Sequence, residues 1–172
     1  MTAFKMSEAC KKLEKQFHET FSIIAITVQE QTNKLKKAGY DVIDPRLISI
    51  AISVIKGYDD EFLIRNFIQY SQGCWDEIHE KNEKHFLENS EIIFSYLPGN
   101  AAKHIRQIFV VKNVKGEPAV NQKIKNVLWK VLHDVIVICI KYLQIKGIDS
   151  HKVYQQINLE HHNKIWHREL QN

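Results

Sequence analysis

The histidines are the first residues to test for chemistry, because the chain of 172 residues contains nine of them. Imidazole binds metal ions and titrates near neutral pH. Two metal-binding histidines on one helix need a spacing of three or four residues. His161 and His162 are adjacent, and His167 lies six residues after His161, so the group beside Glu160 lacks that spacing. We interpret this C-terminal cluster as an exposed polar face, with a surface metal site as the alternative.

A second histidine pattern joins Asp76 to His79, with Glu83 four residues further on. A di-iron site in a helical bundle needs two Glu-x-x-His pairs and two more glutamates. The chain contains no Glu-x-x-His, no nucleophile elbow, no P-loop and no GxGxxG, and its six glycines fall at predicted helix ends or turns. The sequence therefore predicts no catalytic residue, no metal ligand and no cofactor. An enzyme or metal protein with a site assembled from distant residues remains an alternative.

Lysines form the most plausible functional surface in the sequence. The net charge is +4, and one basic segment has Glu117 as its only acid. Clustered lysines neutralise phosphates and bind nucleic acid without reading its sequence. The alternative is a solvated loop and helix end. The candidate nucleic-acid-binding residues are Lys112, Lys115, Lys123, Lys125 and Lys130.

The element that must position these residues is a long helix predicted over residues 121–146. Large apolar residues recur there every three or four positions, which places them along one side of a helix. Further apolar residues widen that side, so we expect this helix to be buried on more than one side and to form the centre of the fold. The stripe consists of Ile124, Leu128, Val131, Val135, Ile138 and Tyr142.

The rest of the chain predicts an all-α fold, a single compact domain over residues 1–172 with six to seven helices. The first helix, within residues 1–38, is long enough that part of it is expected to project and pack on a partner. A loop is expected at 113–120, and a final helix is expected after Asp149 or Ser150. Asn89 and Ser90 are expected to interrupt the helix that begins near Trp75, and Asn100 is expected to cap the next one.

The segment 47–55 is ambiguous. Isoleucine and valine alternate with serine and alanine there, as in a strand, yet Asp44 and Pro45 before it form a helix start signal. A strand needs a partner strand, and the other candidates lie within helical patterns. We therefore favour a fully buried helix closed by Gly57, with a strand as the alternative.

Composition favours an intracellular protein that does not enter a membrane. The longest uncharged apolar runs are far shorter than the roughly 20 residues of a membrane helix. The N-terminal residues are too charged for a signal peptide. The three cysteines, Cys10, Cys74 and Cys139, lie far apart, which is typical of buried free thiols in a reducing compartment.

One run of the sequence, from Lys81 through Phe94 to Leu97-Pro98, carries a family resemblance, together with the downstream segments 126–130 and 140–142. It resembles small helical proteins of nucleocytoplasmic large DNA viruses. The resemblance implies a virus-encoded helical protein of the host cell cytoplasm and brings no functional residues with it.

Taken together, these observations predict a non-enzymatic module for protein–protein interaction or self-association. The long first helix and the lack of reactive constellations favour it. A nucleic-acid-binding accessory protein is the alternative that uses the lysine-rich segment.

Overall fold

The computed structural model describes residues 2–148, and these residues form seven α-helices. The predicted final helix and the C-terminal histidine cluster lie outside the described residues. Residues 2–148 contain no strand, only an isolated bridge between Lys112 and Pro118. The predicted all-α fold is confirmed. The helices are α1 (Ala3–Lys37), α2 (Pro45–Lys56), α3 (Asp60–Ser71), α4 (Trp75–His79), α5 (Glu83–Ile93), α6 (Ala101–Val110) and α7 (Gln122–Ile145), with a 3₁₀ turn over Gln72–Cys74.

The centre of the fold is the pair formed by α1 and α7. α1 also packs against α2, α3 and α6, while α7 packs against α4 on its other side. α7 is buried on more than one side, as predicted, because every residue from Val135 to Ile140 is buried. A helix of 24 residues is roughly 36 Å long, so α7 can support several neighbours along its length.

Aromatic side chains connect the helices around this pair. Phe21 on α1 has its ring centroid 5.9 Å from that of Phe67 on α3 and 6.5 Å from that of Phe94 after α5. The ring centroid of Phe86 on α5 lies 5.2 Å from that of Trp129 on α7, and Trp129 is buried in the core. The described residues therefore share one hydrophobic core.

Most of the polar start signals cap their helices, except that Asn100 precedes α6 without a side-chain capping hydrogen bond. The Asp44 carboxylate accepts from the backbone N–H of Arg46 at 3.0 Å and caps α2, with Pro45 in the first helical position. Asn121 caps α7 by accepting from the N–H of Ile124 at 3.0 Å. Such caps satisfy backbone donors that have no partner inside the helix. Segment 47–55 is thus helical, as favoured, and belongs to α2.

One predicted break is displaced. The helix expected to be interrupted at Asn89 and Ser90 continues through both residues, and their side chains donate to backbone carbonyls of the preceding turn. The break falls instead between α4 and α5, where Lys81 has a φ of 54°. Asn82 then caps α5 by accepting from the N–H of His85 at 3.2 Å.

The projection predicted for the first helix is limited to its beginning. Residues 2–8 are exposed, but from Cys10 onward α1 contributes a buried residue in every turn through Leu35. The apolar stripe of α1 is therefore buried in the core, because α7, α3 and α2 pack against it.

Candidate interaction site

The five candidate lysines do not form one surface. Lys125 is only 4% exposed, and its Nζ donates to the backbone carbonyl of Phe109 at 3.1 Å. It also lies 3.6 Å from the Glu83 carboxylate and 5.5 Å from the centre of the Phe109 ring. Its position, three residues before Leu128 and four before Trp129, places it on the buried side of α7. Lys125 therefore does not share a solvent-exposed surface with Lys112, Lys115 and Lys123.

Lys130 is also committed to the protein. Its ammonium group donates to the Asp134 carboxylate one turn later on α7, and its side chain is largely buried. Burial raises the pKa of Asp134, but the neighbouring His133 and the hydrogen bond from Lys130 outweigh that effect, so the pKa is lowered. The resulting pair carries little net charge, so Lys130 adds little to a phosphate-binding face.

Three candidate lysines remain exposed near the loop before α7, and they are Lys112, Lys115 and Lys123. The loop itself is ordered by Asn113, whose side-chain oxygen accepts from the N–H groups of Lys115 and Glu117 at 2.9 and 3.0 Å. The predicted loop at 113–120 is therefore an ordered turn. Lys115 within it and Lys112 just before it are both exposed to solvent.

The histidine pattern on α4 does not become a metal site. His79 lies near His133, with ring centroids 6.0 Å apart, at the contact between α4 and α7. Burial lowers the pKa of His79, and the neighbouring His133 lowers it further. Within residues 2–148, no three histidine, cysteine or acidic side chains converge in a way that could hold a metal ion. The His79 ring therefore contributes to the packing between α4 and α7.

A carboxylate with a raised pKa can mark a catalytic acid, so Glu14 on α1 needs the same test. Burial raises the pKa of Glu14, and the nearby Tyr142 hydroxyl on α7 opposes that rise. Lys146 lies 4.6 Å from the Tyr142 ring and 3.6 Å from the Glu61 carboxylate. This group links α1, α3 and the end of α7, which is the arrangement of a structural polar contact.

The surface that departs most from expectation is the outward side of α2. Its inward side is buried through Ile48, Ala51 and Ile55. Its outward side exposes 39% of Leu47, 59% of Ile50 and 40% of Val54. We call these three side chains, Leu47, Ile50 and Val54, the outward face of α2.

The prediction that segment 47–55 is a fully buried helix is therefore wrong. Among the described residues, the main neighbours of α2 are α1 and α6, and the loop before α6 approaches it at Gly99. A signal was present in the sequence, because Leu47, Ile50 and Val54 have the three-and-four spacing of a second stripe. The pattern of an isolated helix does not reveal whether a neighbour covers that stripe.

The inward side of α2 encloses a small cleft against α1 and α6. Its volume is about 40 Å³, enough for a few water molecules, and its walls include Val28, Ile52 and His104. Only apolar atoms line it. The cleft lacks the convergent polar groups that orient a ligand in a binding pocket.

Comparison with known proteins adds no assignment to these surfaces. Among residues 2–148, the structure has no helix whose length and hydrophobicity would carry it across a lipid bilayer. The chain matches no protein-family model, no curated protein and no solved structure. The resemblance to viral helical proteins therefore stays a prediction.

Proposed function

We propose that this chain is a non-enzymatic interaction module that binds a protein through the outward face of α2. The observation that carries the proposal is the row of three exposed aliphatic side chains on a helix whose other side is buried. Single exposed aliphatic residues are common on protein surfaces, but aligned ones form a continuous apolar strip. Covering such a strip is favourable by about 25 cal/mol for each Å² removed from water.

The lack of charge around this strip distinguishes it from the exposed apolar residues at the start of α1. Positions 47–55 hold no charged residue, so the outward face of α2 is uninterrupted. Phe4 and Met6 on α1 are exposed too, but Lys5 and Glu8 lie among them. Interface centres are depleted in charged residues, which favours α2 as the binding surface.

Photo-crosslinking tests this proposal. A photoreactive amino acid replaces Ile50 in one variant and Ile92 on α5 in a matched control, because both side chains are 59% exposed. We expect specific protein adducts from position 50 and not from position 92, in cell extract or in purified protein. No adduct at position 50, or the same adducts at both positions, would contradict the proposal.

A second candidate function is sequence-independent binding of nucleic acid through the three exposed lysines. The observation that favours it is that Lys112, Lys115 and Lys123 form no ion pair within residues 2–148 and surround an ordered loop. Lys103 on α6, one helix earlier in the chain, is also exposed. Each phosphate contact of this kind makes affinity fall as salt rises.

Fluorescence anisotropy with a labelled single-stranded oligonucleotide tests this alternative at about 50 mM salt and above. The Lys112→Gln, Lys115→Gln, Lys123→Gln triple variant should bind more weakly and with a shallower salt dependence. The control is a triple substitution to Gln of the exposed lysines that end α1, which are Lys34, Lys36 and Lys37. Negligible affinity, or equal losses in both triple variants, would eliminate this function.

A further inference from the structure

We infer that His104, Gln107 and Ile43 form a proton-operated latch, which holds the link between α1 and α2 while His104 is neutral and releases it when His104 binds a proton. The link comprises residues 38–44 and leads directly into α2. Such a latch acts whatever the outward face of α2 binds.

The latch is built around the side-chain amide of Gln107 on α6, whose hydrogen bonds reach three elements. Its Oε1 accepts from the backbone N–H of Ile43 in the link at 3.1 Å, and its Nε2 donates to Thr32 Oγ1 on α1 at 3.0 Å. The second Nε2 proton points to His104 Nδ1, at 3.4 Å. Gln107, Thr32 and His104 are all buried, so a bond lost here leaves a buried polar group without its partner.

A proton on His104 Nδ1 is incompatible with this set of hydrogen bonds. A backbone N–H can only donate, which fixes Oε1 beside Ile43 and leaves the Nε2 donor of Gln107 facing the ring. Nδ1 must therefore accept in the neutral ring. In the imidazolium both ring nitrogens donate, so two donors would face each other.

The bond that gives way is the one to Ile43. Rotation of the Gln107 amide by about 180° offers Oε1 to the imidazolium and turns the NH₂ group toward the Ile43 N–H. A hydrogen bond from a charged donor is stronger than one between neutral groups, so the amide follows the imidazolium. The link then loses its tie to α6, while Ile48, Ala51 and Ile55 keep α2 on the core.

Among residues 2–148, no charged side chain competes for control of the His104 ring. The side chains of α1 and α2 that line the cleft beside His104 are all apolar. The charged side chains of the link, α5 and α6 nearest to it line grooves at the surface instead, and they are Asp41, Glu91, Lys103 and Arg106. Burial by itself lowers the pKa of His104.

That lowered pKa gives the direction of the response. His104 in the closed latch binds a proton less readily than a histidine with the ordinary pKa of about 6.5, so acid favours the released link. The ratio of released to closed link should rise about tenfold between about pH 7.5 and 5.5.

Amide hydrogen exchange of the full chain, followed by NMR, tests the latch at Ile43. The protection of the Ile43 N–H, corrected for the intrinsic exchange rate at each pH, should fall by that factor. Low urea should leave its exchange unchanged, because local opening exposes little surface. Exchange of Ile136, at the centre of α7, should accelerate with urea. An Ile43 amide with the urea dependence of Ile136 would open only by global unfolding, which would overturn the inference.

Three variants and one spectrum identify the group that responds. His104→Gln should remove the pH dependence of Ile43 protection. His79→Gln, which removes a second histidine whose pKa is lowered, should preserve it. Gln107→Ala should leave Ile43 weakly protected at both pH values, because its acceptor is gone. Circular dichroism confirms that each variant is folded.

The ¹⁵N spectrum of the imidazole at about pH 7.5 should show His104 Nδ1 without a proton. A proton on Nδ1 at that pH, a pH dependence that survives His104→Gln, or one that disappears in His79→Gln would reject the latch.

Discussion

At the residue scale, buried polar side chains between the helices determine how the molecule responds to pH and substitution. The backbone N–H of Ile43 donates to Gln107 Oε1 at 3.1 Å, which fixes the orientation of that amide. Gln107 Nε2 then donates to Thr32 Oγ1 at 3.0 Å and to His104 Nδ1 at 3.4 Å. The proton of His104 therefore lies on Nε2, which has no hydrogen-bond partner among the described residues.

Stability should fall as the pH drops below about 6.5, the ordinary pKa of histidine. Burial lowers the pKa of His104 and, together with His133, that of His79. Below pH 6.5 the unfolded chain then binds more protons than the folded chain, so the free energy of unfolding decreases with decreasing pH. The melting temperature should be level from pH 8 to about 7 and decline toward pH 5.5.

His104→Gln should make that decline shallower, because it removes one of the two histidines whose pKa is lowered. The comparison uses the slope of melting temperature against pH, so a uniform loss of stability does not affect it. A slope unchanged by the substitution, or a wild-type profile that is level down to pH 5.5, would contradict the expected role of His104.

Lys125 and Lys123 have the same side chain on the same helix but different environments. Lys125→Ala should lower the free energy of unfolding by about 2 kcal/mol, because it leaves the buried Phe109 carbonyl without its donor. Lys123→Ala should change it by less than about 0.5 kcal/mol, because Lys123 is exposed. Urea denaturation measures both, and equal effects would show that the burial of Lys125 is not important for stability.

At the element scale, α2 is the helix with two apolar sides and neighbours on only one of them. The loop before α6 approaches its backbone at Gly99, which has a φ of 68° and where a Cβ atom would lie 3.3 Å from the Leu47 carbonyl oxygen. Glycine therefore lets the loop before α6 pass close to α2. The inward side of α2 is held to the core by this contact and by Ile48, Ala51 and Ile55.

Substitutions of two isoleucines on α2 should distinguish the side of the helix that stabilises the fold from the side that is free to bind. Ile48→Ala should cost about 2 to 4 kcal/mol, because Ile48 is buried against the core. Ile50→Ala should leave the stability of the monomer within about 0.5 kcal/mol of the wild type. Thermal or urea unfolding at low protein concentration distinguishes them. Comparable losses from both substitutions would mean that the outward face of α2 is already packed within the monomer.

At the scale of the whole molecule, one core is built from the two ends of the described chain. α1 begins at Ala3 and α7 ends at Ile145, yet these two helices form the central pair. The helices between them close around that pair, with aromatic contacts from α3, α5 and α6. Because the core joins distant parts of the sequence, the position of α2 at its edge follows from the packing of all the other helices.

The sequence alone determined the all-α fold, the extent of α7 and most helix starts. Those features depend on local periodicity and on capping residues such as Asp44 and Asn121, which act within a few positions of themselves. The tertiary structure alone decided which lysines are exposed and which side of α2 is covered. Lys125 and Ile50 show the reason, because burial depends on neighbours supplied by distant parts of the chain.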